Sequence, residues 1–182
     1  MDGQPNYANG QDNVEYFELV ISTHSLSVTI MAIGDYQFIL FPMGNVPNFS
    51  EDGIEFVGQN KFSFYQAVDV LEKSAHIKND STLKSWNSFD DECYFLYYDG
   101  KYKVEIELNT GRVTEEAEDI SIRTNIYRDE GSVIEALRIC QVLCDSLNLK
   151  CWNMKLREII DLHNASSVAD TINHYRKLRN KS

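Results

Sequence analysis

The sequence predicts an α+β fold: a single domain in which a largely antiparallel sheet of about 6–8 strands packs against three helices. Three observations carry this. Runs of β-branched and aromatic residues recur between tight-turn residues, and helical periodicity is confined to three segments. The strands also follow one another as hairpins instead of alternating with helices. At 182 residues the chain can build one good core but is short for two.

The elements follow in order. Residues 1–13, polar and rich in Gly, Asn and Gln, read as a flexible leader to a domain spanning 14–182. VEYFELVIS (14–22), LSVTIMAI (26–33) and YQFILFP (36–42) have strand composition, and Gly34-Asp35 supplies a hairpin turn between the last two. Residues 43–53 hold Gly, Asn, acids and Pro47 and read as a loop before a short strand at 54–58. The first helix is expected at 63–76, where Ser63 and Gln66 form a capping box and Phe64, Val68, Leu71 and Ala75 share a face. After a polar connection at 77–92, residues 93–98 and 101–108 form a hairpin around Asp99-Gly100, a pair that favours the type I′ turn. Its second strand alternates Lys101, Lys103, Glu105 and Glu107 with Tyr102, Val104, Ile106 and Leu108, which predicts one wet face and one buried face. DISIRTNIY (119–127) is a further strand. The second helix is expected at 132–147 with a Ser132/Glu135 capping box, followed by a strand over 149–156. The third is expected at 167–180, capped through Ser167 and Asp170, its basic end complementing the helix dipole.

Charge narrows the partners. The formal net charge is −11, unevenly spread: residues 1–149 hold 25 Asp/Glu against 10 Lys/Arg, and residues 150–182 hold 3 against 7. An acidic body repels phosphate backbones, so nucleic acid is not expected as a partner, whereas a basic protein is favoured. No apolar run reaches membrane-span length, and the N-terminus has neither the basic start nor the apolar stretch of a secretory signal. With four cysteines lacking framework spacing, these features point to the cytoplasm and reduced thiols.

Three of those cysteines, Cys140, Cys144 and Cys151, fall within twelve residues. Cys140 and Cys144 share a helical stripe with Val133, Leu137 and Leu147, and no further donors stand at zinc-ligand spacing, so the reading is core packing without a metal or cofactor. A reactive thiol needs a cationic neighbour or a helix N-terminus. Only Cys151, between Lys150 and Lys155, has one. His24 in STHS could partner Ser22 or Ser25, His76 at the end of the first helix reads as a partner for the helix dipole, and His163 and His174 carry no signature. Phosphate-loop, zinc-protease and nucleophile-elbow motifs are missing from the sequence.

Two acidic segments remain. FDDE (89–92), close to Trp86, and TEEAEDI (114–120) bracket the central hairpin. Acids beside aromatics suit a basic protein surface, since aromatics anchor and charges steer. The expected partner-binding residues are therefore Trp86, Phe89, Asp90, Asp91, Glu92, Glu115, Glu116, Glu118 and Asp119. The expected function is a non-catalytic acidic protein-binding domain, most specifically an immunity or antitoxin-type inhibitor of a basic, nuclease-like partner. A chaperone for a secreted effector fits the same features. A small enzyme using His24 or Cys151, or a structural domain of a larger assembly, are the alternatives.

Overall fold

The computed structural model describes residues 34–50, 53–80, 82, 91–109 and 116–181. Within them lie β1 (Asp35–Pro42), β2 (Val46–Ser50), β3 (Gly53–Val57), β4 (Phe62–Ser63), α1 (Phe64–Glu72) and β5 (Ile77–Lys78). There follow β6 (Tyr94–Tyr98), β7 (Lys103–Asn109), β8 (Glu116–Ala117), β9 (Asp119–Asn125), α2 (Gly131–Leu147), β10 (Leu149–Asn153), β11 (Glu158–Ile160) and α3 (Ala165–Arg179). The expected leader at 1–13 and the expected strands at 14–22 and 26–33 lie outside the described residues.

Seven strands form one sheet in the order β11-β10-β1-β9-β7-β6-β5, every neighbouring pair antiparallel. Two small antiparallel pairs, the β2-β3 hairpin and the long-range pair β4-β8, stand beside it. The fold is thus α+β, a single domain with three α-helices among the described residues. β9 and β10 flank β1 and are both antiparallel to it, so α2 connects two parallel strands across the one between them. It packs on β9, β10, β1 and β7, with α1 and α3 as its helical neighbours.

Strand pleating divides the sheet into two faces. One carries Tyr36, Phe38 and Leu40 of β1, Val104, Ile106 and Leu108 of β7, and Ile120 and Ile122 of β9, all fully buried. Under this face lie Phe64, Ala67 and Leu71 of α1, Val133, Ala136, Leu137, Cys140 and Leu143 of α2, and Tyr175 of α3. The outer face begins with an apolar patch of Ile39, Phe41 and Trp152, covered by Ile54 and Phe56 of the β2-β3 hairpin. Phe41 and Phe56 stack at 4.2 Å between ring centroids.

Several local expectations need correction. Residues 46–50 are strand, not loop, because Val46 to Ser50 pair in register with Val57 to Gly53. α1 stops at Glu72, short of 76, although Ser63 caps it as expected by accepting from the Gln66 amide at 3.3 Å. The central hairpin closes with four residues, not two, since Tyr98 pairs Lys103. The Asp99 carboxylate accepts from the amides of Lys101 and Tyr102 at 2.9 and 2.8 Å, a side-chain-built turn that replaces the type I′ geometry. α2 begins at Gly131, whose amide is held by Asp129, while Ser132 is buried and Glu135 pairs with Arg138. A Cβ at Gly131 would stand 2.1 Å from the Tyr102 ring, so a larger residue there would require that ring to move. α3 starts earlier than expected, because Asn164 accepts from Ser166 and Ser167. The strand expected over 149–156 ends at Asn153, turns, and returns as β11.

Candidate functional site

The described parts of the two acidic segments, residues 91–92 and 116–120, lie at one end of the sheet. β6 starts at Tyr94 opposite Glu107, near the end of β7, and Asn109 at that end pairs with Asp119 at the start of β9. The 3₁₀ turn Asp91–Cys93 therefore sits against β7 beside the β8–β9 corner. Asn79 ties this corner together, donating to the carbonyls of Glu92 and Tyr94 at 3.2 and 2.8 Å.

At that end Glu92, Glu116 and Glu118 are exposed. Lys61, just before β4, lies 3.7 Å from the Glu116 carboxylate and 3.5 Å from that of Glu118. Among the described residues, Lys61 is thus shared between two solvated carboxylates. Asp119 differs from its neighbours. It is half-buried and accepts a hydrogen bond from the Asn109 amide, and loss of solvent pushes its pKa up to about 7, with Glu118 and Glu107 adding to the rise. At neutral pH it exists in both protonation states, so it contributes less charge to the corner than a solvated aspartate. Asp91 belongs to the 3₁₀ turn. Trp86, Phe89, Asp90 and Glu115 lie outside the described residues.

A second group was not anticipated. The face of β7 expected to be wet is buried: Glu105 is 6 % exposed and Glu107 1 %. They are held by ion pairs across the outer face. Lys103 Nζ lies 2.5 Å from Glu105, and Arg123 Nη2 donates to Glu107 at 2.7 Å. Arg123 Nε also donates to Ser121 Oγ at 2.9 Å, which accepts from Gln37 Nε2 at 2.8 Å. Register explains the arrangement, since Glu105 stands opposite Arg123 and Glu107 opposite Ser121. Burial draws the Arg123 guanidinium below its ordinary pKa, opposed chiefly by Glu107. Burial and the two glutamates push the Tyr94 hydroxyl well up. A substrate in solution meets almost no carboxylate surface here, so the group works as a structural network joining β1, β9, β7 and β6. The one sequence signal for it was Lys103-x-Glu105-x-Glu107 running beside a strand containing Arg123, opposite charges able to meet across a ladder.

The cysteines settle into the core. Cys140 and Cys151 are buried and lie against each other, with half-buried Cys144 adjoining them. Burial pushes the Cys140 and Cys144 thiols well above their ordinary values. Cys151 points into the helix layer, so the local charge of Lys150 and Lys155 does not make it an accessible nucleophile. Among the described residues, no group of three or more His, Cys, Asp or Glu side chains is placed to hold a metal ion.

The histidines take separate roles. His24 lies outside the described residues. His163 Nε2 is 2.9 Å from Asp145 Oδ1 at the exposed mouth of a groove between α2 and α3 of about 390 Å³. His174 Nδ1 is 3.0 Å from the buried Tyr36 hydroxyl, to which Asn153 donates at 3.0 Å. His76 follows α1 instead of ending it and lies with its ring edge-on to Tyr97. No helix among the described residues is long and apolar enough to cross a membrane. Compared with known proteins, the chain matches no family model and no curated protein sequence.

Proposed function

We propose that this chain is a non-catalytic protein-binding domain that uses its acidic sheet end to hold a basic partner. In its most specific form it is a cytoplasmic immunity or antitoxin-type inhibitor, covering the phosphate-binding surface of a nuclease-like toxin. The observation that carries the reading is the placement of the described parts of both acidic segments at one corner, with Glu92, Glu116 and Glu118 in solvent. Carboxylates gathered on a rigid sheet end match an array of Lys and Arg, raising the association rate and rejecting acidic competitors.

The test is a titration against the basic product of a neighbouring gene, by calorimetry at 50 and 300 mM NaCl. The expected outcome is tight binding that weakens with salt and loses about tenfold or more when Glu92, Glu116 and Glu118 are together changed to Gln. Circular dichroism confirms that the triple variant is folded. Equal affinity of variant and wild type would remove the acidic corner from the interface.

A further inference from the structure

The opposite edge of the sheet has the reverse character. Among the described residues β11 is an edge strand, paired with β10 through Cys151–Ile160, Trp152–Ile159 and Asn153–Glu158. Proteins protect such edges by placing charge at outward positions. Here the middle residue is Ile159, 46 % exposed, beside Trp152 on the outer face. Phe49 of the β2-β3 hairpin, 53 % exposed, lies against Trp152, with ring centroids 5.6 Å apart. An aliphatic and an aromatic side chain are thus presented to solvent next to a strand with backbone groups to offer.

Basic side chains outnumber the carboxylates of Glu158 and Asp161 in and around this strand. The turn from β10 to β11 is set by Asn153, whose Oδ1 accepts from the amides of Lys155 and Leu156 at 2.9 and 3.1 Å. It closes with Arg157 at φ 58, a left-handed conformation that glycine or asparagine adopts with less strain. That backbone carries the guanidinium to 5.7 Å above the Phe49 ring. Burial and then Lys177, Lys155 and Lys181 lower the His174 pKa, with Glu158 opposing, which places these three lysines near His174.

We propose that β11 is a docking edge for an extended acidic segment of a partner protein. The segment pairs with β11 as an added strand, sets an apolar side chain against Ile159 and Phe49, and places its carboxylates near Lys155, Arg157, Lys177 and Lys181. The inference does not depend on the acidic corner, which lies across the sheet and selects the opposite charge. A peptide is favoured over a nucleic acid because the edge offers backbone hydrogen bonds and an aliphatic anchor.

Fluorescence anisotropy with decapeptides alternating Glu with Val or Phe tests this, using Lys-for-Glu versions as controls. The acidic decapeptides bind and the basic ones do not. N-methylating one alternate set of peptide amides abolishes binding, and methylating the other set leaves it intact, because a strand presents only every second amide to its neighbour. Arg157→Gly and Ile159→Ser each lose about tenfold in affinity, the size of one lost anchor, while Arg157→Gly melts at or above the wild-type temperature because strain is relieved. Several results overturn the proposal: no acidic decapeptide binds, both N-methylated sets bind equally, single-stranded oligonucleotides bind in preference, or Ile159→Ser abolishes a self-association seen by sedimentation.

Discussion

The two faces of the seven-stranded sheet bury side chains for different reasons. The helix-facing side is mostly apolar, with Phe38, Leu40, Ile106, Ile120 and Ile122 removed from water under α2. Its stability scales with area and packing, and similar residues could exchange places at modest cost. The outer side places Ile39 and Phe41 beside Gln37, Ser121, Arg123, Glu105 and Glu107. Charges there are tolerated because each has an ion-pair partner nearby, Lys103 with Glu105 along β7 and Arg123 with Glu107 diagonally across the β7–β9 ladder. A one-residue slip would drive Glu105, Glu107 and Arg123 beneath α2, so the polar face specifies the register that the apolar face exploits.

Substitutions on each face separate these contributions. Phe38→Ala, at a fully buried position, is expected to cost about 3–5 kcal/mol in urea unfolding, through lost burial and a residual cavity. Arg123→Ala on the outer face is expected to cost about 2–4 kcal/mol, because Glu107 stays buried without its 2.7 Å partner guanidinium. The double change Glu107→Leu with Arg123→Met should recover much of that loss, since apolar replacement of a buried pair is often neutral. If Arg123→Ala unfolds with the wild-type midpoint, the ion pairs contribute nothing to stability and the contrast between the faces fails.

The sequence made the fold class and the helix-facing strands legible because alternation and helical periodicity are local signals. Ser63 was readable as a cap for the same reason. Glu105 and Glu107 were misread because alternation reports that two faces differ, not that the polar one is exposed. β2 was missed because Pro47 and a short polar run look like a loop, and only pairing with β3 makes Val46–Ser50 a strand. β11 was missed because three residues carry no period at all. The acidic residues could be found by composition. Their meeting at one corner could not, because it depends on the long-range pairing of β7 with β9.

Asp119 lies where the exposed acids meet the buried network, and its pKa near 7 makes the junction sensitive to pH. Its folded value lies above the unfolded one, so the folded chain holds the extra proton. The associated stability is fully present below about pH 4 and is lost as pH rises through about 7. Asp119→Asn keeps an acceptor for Asn109 without acquiring the charge. At pH 8 it should stabilise the protein by about 2 kcal/mol, less than the roughly 4 kcal/mol of the full displacement, because the residue retains some contact with water. The gain should vanish at pH 4. A constant gain at both pH values would mean that removing the charge is not its source.

His174 should produce the smallest effect, and with the opposite sign. Its pKa is lowered mainly by burial and then by Lys177, with Lys155 and Lys181 adding and Glu158 opposing. The Tyr36 hydroxyl accepts from Asn153, which leaves its own proton for Nδ1 at 3.0 Å in preference to the Thr171 carbonyl at 3.4 Å. That assigns the neutral imidazole with its hydrogen on Nε2. An unfolded histidine takes up a proton first as pH falls, so stability is lost below about pH 6.5. The loss falls on the packing of α3 against β1 and β10, where Tyr36 and Tyr175 also meet at 5.3 Å. His174→Gln retains a hydrogen-bonding group without titrating. It should melt close to wild type at pH 7.5 and lose less stability than wild type between pH 6.5 and 5. The same acid-side slope in both proteins would move the sensitivity away from α3, leaving Tyr36 and Asn153 as a plain polar anchor for that helix.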